Sequence, residues 1–233
     1  MNTENIKISA GKIIYAAITI LIFPVLILTL SGDWLWLEGW IFSIWFVALC
    51  ITSYMYLYIK DPALLMERYQ SPGTSNQKIW DKYIVYGIMI GFTALFVITP
   101  LDARRFGWTL YFPLWLKVVG GIELIFSFFF MFRSFTDNTF LSPLVRIQSD
   151  RKQQVITTGV YGFVRHPMYL GAIFLFPGAP MLMGSKYGIL IGVAMILLLA
   201  GRIIGEEKVL VIELEGYEHY RKKVKYRLFP FIW

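Results

Sequence analysis

Cysteine and histidine are nearly absent from this sequence. Its 233 residues include one Cys (Cys50) and two His (His166 and His219). A single thiol can form neither an internal disulfide nor a multi-cysteine metal site, and two histidines are too few for a His-rich cage. Charge is scarce as well: 16% of residues are charged against 57% hydrophobic, where a soluble domain carries about a quarter charged residues. That shortage excludes an ordinary water-soluble globule. It also leaves no free basic domain for nucleic acid, although the net charge is +7. No G-x-S-x-G, H-E-x-x-H or Walker-type glycine loop occurs, so serine hydrolase, zinc protease and nucleotidase chemistry have no support.

What the sequence has instead is long apolar runs and aromatic residues at 18%, the rings that favour bilayer interfaces. Runs at 13–30, 40–59, 83–99, 113–132, 168–183 and 187–204 predict an all-α integral membrane protein with about six transmembrane helices. The fourth run contains Lys117 and Glu123. The fifth is short and holds Pro177 and Pro180, breaks that are tolerated where neighbouring helices satisfy the freed carbonyls. Only Gly184, Ser185 and Lys186 separate the last two runs, which therefore form a C-terminal helical hairpin. The first run is longer than a signal-peptide core and lacks an A-x-A pattern after it, so an uncleaved helix is expected. With six spans, all Lys and Arg except Arg104, Arg105, Lys117 and Lys186 fall on one side, which places both termini in the cytoplasm. The expected organisation is residues 1–135 carrying the first four helices and residues 136–233 carrying a cytoplasmic loop, the hairpin and a tail. The short soluble portions point to a prokaryotic inner membrane.

Three features on the cytoplasmic side carry potential chemistry. The first is the segment from Thr158 to Tyr169, in which Pro167 suits the first turn of a helix and His166 its cap. A helix starting there directs free N–H groups and the positive end of its dipole at the cytoplasm, a place for a carboxylate or phosphate; a plain capped helix start beside a snorkelling Arg165 is the simpler alternative. The second is Arg202 and Glu206, four apart on one helix face near the bilayer edge. Ionisable groups at that depth face a cavity or a partner, and an i,i+4 surface ion pair is the simpler alternative. The third is the tail from Lys208 to Trp233, whose pattern fits an amphipathic helix on the membrane surface with a basic run at Arg221–Arg227 meeting anionic headgroups. Glu123 requires a partner within the membrane, and His219 reads as solvated.

Gly159-Val160-Tyr161, Arg165-His166-Pro167-Met168-Tyr169-x-Gly171, Arg202-x-x-x-Glu206-Glu207 and the ending Tyr226-Arg227-Leu228-Phe229-Pro230 together resemble the isoprenylcysteine carboxyl methyltransferase family, over about the last ninety residues. Related phospholipid N-methyltransferases share the paired glutamates. The resemblance implies a transferase that uses S-adenosyl-L-methionine (SAM), held by residues matching Gln148, Gln153, Gln154, Val155, Ile156, Tyr161, His166, Pro167, Met168, Tyr169 and Glu206. Arg202 matches the residue associated with the methyl acceptor, so Arg202 and Glu206 are the expected catalytic pair. The expected partners are the bilayer and a lipophilic or prenylated substrate, without metal. Phospholipids and small thiols are alternative acceptors. An NADPH-dependent sterol-type reductase, which also carries an Arg-His-Pro-x-Tyr-type segment, and a non-enzymatic quinone-binding scaffold are the alternative classes.

Overall fold

The structure, a computed structural model, describes residues 8–74 and 76–233, so Lys7, counted above on the cytoplasmic side, lies outside the described residues. The described residues form helices, turns and loops without a strand, as hydrocarbon requires of a backbone that must satisfy its own polar groups. In chain order the helices are α1 (Ala10–Ser31), α2 (Leu37–Lys60), α3 (Pro62–Arg68), α4 (Ile79–Pro100), α5 (Leu114–Asp137), α6 (Pro167–Met183), α7 (Lys186–Glu213) and α8 (Tyr217–Lys223). Five of them, α1, α2, α4, α5 and α7, are long and apolar enough to cross a membrane, and α6 is the short apolar helix expected as the fifth span. α4 runs on into a π-type turn, Leu101–Arg105.

At 17 residues α6 rises only about 25 Å, less than the thickness of the hydrocarbon core. Protein surrounds it, with Leu175, Phe176, Ala179, Pro180 and Met183 all buried, so lipid does not set its length. Its packing on α5 is close because small residues face each other: a Cβ on Gly120 would meet the Leu182 nitrogen at 2.5 Å and the Gly178 oxygen at 2.6 Å. Small residues at such crossings let backbones approach where lipid is as apolar as leucine. The turn to α7 follows from its residues. Gly184 takes the left-handed conformation (φ 85°) and donates its N–H to Pro180 O at 2.8 Å, and Ser185 Oγ accepts the Gly188 N–H at 2.8 Å as the cap of α7. Mid-membrane, Phe23, Phe42, Phe46, Phe92 and Phe96 pack ring against ring, with centroids as close as 4.4 Å for Phe23 and Phe46. Large apolar side chains such as Leu21, Ile90, Ile125 and Leu197 are exposed on the outer helix faces, as expected of a surface that meets lipid.

The two ends of the bundle differ. At one end the polar contacts are Asp33–Arg104 and Glu38–Lys117, each at 2.5 Å, and Asp102 accepting from Thr109 and Ser185. At the other end lie the loop after α5, the start of α6, the end of α7 and the tail. Here the tail differs from the expected surface helix. α7 continues through Glu207 to Glu213, and the remaining helix, α8, is a single short piece. Tyr217, Tyr220, Val224 and Leu228 are buried, and the chain folds back so that the N–H groups of Arg165 and His166 donate to Tyr226 O and Arg227 O at 3.0 and 2.9 Å. The apolar stripe that suggested a lipid-facing helix covers protein instead. His219 is exposed, in accord with its solvated reading.

Candidate functional site

Three stretches distant in sequence meet at that second end. The loop after α5 is held by two buried ion pairs. Arg146 clasps Glu67 of α3 with Nη2–Oε2 2.6 Å and Nε–Oε1 3.0 Å, and Ser142 Oγ also donates to Glu67 at 2.6 Å; this pairing holds the Arg146 pKa above its ordinary value. Asp81, in the first turn of α4 and fully buried, accepts the Val145 N–H at 2.8 Å and Arg202 Nε at 2.8 Å, so it ties the loop to α7. Further along, Gly159 stands at φ 59°, and a Cβ there would lie within bonding distance of the Asp137 carboxylate. Only glycine allows that approach. The same carboxylate accepts the Val160 N–H at 2.9 Å, which sets the position of Tyr161.

The start of α6 is fixed from the other side. Glu207 is buried and receives Arg165 Nε at 2.6 Å, Arg227 Nε at 2.7 Å and a His166 Nε2 contact at 3.2 Å. Arg165 Nη1 also donates to Val224 O and Lys225 O, both at 2.7 Å. Arg165 therefore does not snorkel: it is the tie between hairpin and tail. His166 occupies the cap position of α6 without a side-chain cap bond, and the N–H groups of Met168 and Tyr169 find no acceptor among the described residues. They are the free donors expected of a helix start.

Between these walls lies a cavity of about 270 Å³. Its lining includes Gln153, Gln154, Val155, Ile156, Tyr161, His166, Pro167, Met168, Tyr169, Arg202 and Glu206, so all the singled-out residues except Gln148 share one space. Gln148 is fully buried behind the wall, where Nε2 donates to Phe140 O at 2.6 Å and its Oε1 accepts from Arg151 at 2.7 Å. It shapes the loop. Arg202 and Glu206 do not pair with each other. Arg202 gives Nε and Nη2 to Asp81 (2.8 and 3.3 Å) and Nη2 also to Pro143 O (2.7 Å), with its guanidinium over the Tyr169 ring at 5.7 Å. Among the described residues Glu206 accepts the Tyr169 hydroxyl, at 2.5 Å, and forms no ion pair. The i,i+4 ion pair is thus replaced by two separate contacts.

Two tyrosines in the lining have buried hydroxyls without a hydrogen bond of ordinary geometry, Tyr161 beside Asn138 and Ser134, and Tyr217. Burial raises both pKa values, so both stay protonated donors. Unsatisfied buried donors are rare unless something else takes them. Asp81, Glu67, Arg68, Asn138 and the tail tyrosines were not singled out from the sequence. Asp81 was the accessible one, an acid in the first turn of a span. Glu123 points into the α5–α6 contact with Oε2 buried and unpartnered, away from this cavity.

The donor set suits SAM: a carboxylate at Glu206 without an ion pair among the described residues for a cation, free helix-start N–H groups for a carboxylate, and the buried hydroxyls of Tyr161 and Tyr217 for further polar groups. Comparison with known proteins gives the following relatives. Residues 115–214 match the family model described as phospholipid methyltransferase. A protein-S-isoprenylcysteine O-methyltransferase from Schizosaccharomyces pombe is 34% identical over 85 residues, a stretch that spans 36% of this chain and 36% of that protein. The solved structure of the eukaryotic intramembrane Ras methyltransferase, isoprenylcysteine carboxyl methyltransferase, superposes with a TM-score of 0.54 at 18% identity, over 93% of this chain and 75% of that one. The chain has the fold of that intramembrane enzyme, and the resemblance first seen in the Arg165–Tyr169 and Arg202–Glu207 segments is borne out.

Proposed function

We propose that this protein is a SAM-dependent methyltransferase of the membrane, acting on the carboxylate of a lipophilic, isoprenoid-type acceptor, with its cavity on the cytoplasmic side. The observation that carries this reading is the convergence of the loop 153–156, the start of α6 and the Arg202–Glu206 turn of α7 on one cavity. The 36% coverage of the fission-yeast relative makes the acceptor part of the proposal.

Bound there, SAM would supply a sulfonium methyl group to a carboxylate oxygen of the acceptor, its sulfur keeping the electrons of the C–S bond that breaks. The residues of this chain supply position and dryness. Glu206, steadied by Tyr169, would hold the cationic part of the donor. The Met168 and Tyr169 N–H groups would hold its carboxylate, as helix starts do. Tyr161 and Tyr217 offer hydroxyls to its remaining polar atoms. A carboxylate acceptor ionises near pH 4 and needs no general base at neutral pH, which fits a lining whose one unpaired acid is assigned to the donor. Alignment in a water-poor pocket supplies several kcal/mol of the barrier lowering. An apolar groove along α4, formed by Tyr86, Ile90, Thr93 and Val97, meets the cavity at Met89, and it gives the acceptor's hydrocarbon part a way in from the bilayer.

Calorimetric titration of the purified protein with SAM is expected to show saturable micromolar binding, roughly 8 kcal/mol. Glu206→Ala is expected to weaken it by about tenfold or more, some 1.4 kcal/mol, with the protein still folded. A flat trace for SAM beside saturable binding of NADPH would replace this proposal with the reductase alternative.

A further inference from the structure

Arg68, the last residue of α3, lines the cavity. Arg68 is half-buried, and the buried charges around it are matched: Arg202 with Asp81, Arg165 with Glu207, Arg146 with Glu67. Arg68 has no ion pair or hydrogen bond among the described residues. Its guanidinium lies over the Phe135 ring at 5.3 Å, and its neighbour Glu67 is committed to Arg146 and Ser142. Burial first, and the like charge of Arg202 second, push its pKa down to about 10, so it remains a cation at neutral pH. A half-buried cation that lines a cavity and has no ion pair marks a candidate ligand position.

We propose that Arg68 is the residue that takes the acceptor's carboxylate. The inference rests on the methyltransferase reading and deepens it by naming the residue that holds the acceptor's carboxylate. Arg202, the residue that the resemblance links to the acceptor, has given its Nε and Nη2 to Asp81 and Pro143 O, so half of its fork is unavailable for a two-bond clasp. Arg68 keeps its whole fork, the geometry that matches a carboxylate. The unpaired charges of the lining also balance the reactants. Among the described residues Glu206 is the lining acid without an ion pair and Arg68 a lining cation without one, facing a donor with one net positive charge and an acceptor with one negative charge. The donor's own carboxylate has separate partners in the Met168 and Tyr169 N–H groups, on a different element.

The test is a binding comparison on the full-length protein in detergent, with S-adenosylhomocysteine present. The probes are N-acetyl-S-farnesylcysteine and its primary amide, which differ only in the charged group. The wild-type protein is expected to bind the acid about tenfold or more tighter than the amide. Arg68→Met is expected to bring that ratio near one while leaving S-adenosylhomocysteine affinity within about twofold, and Arg68→Lys to keep part of the preference. Should Arg68→Met fail to fold, Arg68→Lys alone decides through the ratio. A preference that survives Arg68→Met, no preference in the wild type, or a variant that loses S-adenosylhomocysteine instead of the acid would each overturn the assignment. Absence of any S-adenosylhomocysteine binding counts against the methyltransferase reading itself; the acid-to-amide ratio is then read without it and still decides the role of Arg68.

Discussion

Asp81 carries more of the site than its place in the sequence suggested. It is fully buried, and its two oxygens serve Arg202, the Val145 N–H and Gln77 Nε2. Removing one member of a buried ion pair leaves the other charge desolvated and uncompensated, which costs about 3–5 kcal/mol, whereas replacing both by apolar groups is often close to neutral. Asp81→Leu alone is therefore expected to lower the denaturation midpoint in detergent strongly. The double variant Asp81→Leu, Arg202→Leu is expected to recover much of that loss, as a double-mutant cycle reads out. Equal destabilisation in the single and double variants would show that Asp81 acts through the loop N–H and not through Arg202. From sequence, Arg202 and Glu206 were legible as ionisable groups at the membrane edge, but their true partners were not. Helix spacing reports neighbours on the same helix, while Asp81 and Tyr169 arrive from other helices. Arg68 was hidden for the same reason, since nothing local distinguishes it from an ordinary loop arginine.

Among the elements, the spans were readable because about 20 apolar residues in a row admit few other interpretations, and the α6–α7 turn because Gly184 and Ser185 are a stop and a start side by side. The tail misled because an amphipathic stripe states that one face is apolar and not whether lipid or protein covers it. α6 carries the consequence of its burial in its glycine contacts. Gly120 sits against the backbone of Leu182 and Gly178, with a Cβ contact as short as 2.5 Å, and backbone cannot step aside as a side chain can. Gly120→Ala is expected to lower stability by about 1–3 kcal/mol through overpacking. On α7, a Cβ at Gly201 meets nothing within 4 Å, so Gly201→Ala is expected to be neutral or slightly stabilising from helix propensity alone. Thermal denaturation of the two variants in one detergent makes the comparison, and similar midpoints would show that α5 and α6 are not packed as closely as described.

For the molecule as a whole, charge and chemistry sort to opposite ends. The cavity end gathers Lys78, Arg146, Arg165, Arg202 and the basic run of the tail, while the other end holds Arg104, Arg105, Lys117 and Lys186, and the Arg104 and Lys117 charges there are paired with acids. The bias of Lys and Arg orients a membrane protein during insertion, so the proposed orientation puts the cavity on the cytoplasmic side. Because Cys50 is the only cysteine and lies within α2, replacing it with Ser gives a background for site-directed labelling. His219→Cys places an exposed thiol at the cavity end, and Leu110→Cys, at a position 96% exposed, places one at the other. In intact cells a membrane-impermeant maleimide is expected to label the Leu110→Cys variant and to reach the His219→Cys variant only after the membrane is opened. The reverse pattern would turn the bundle over and overturn the cytoplasmic placement of the cavity.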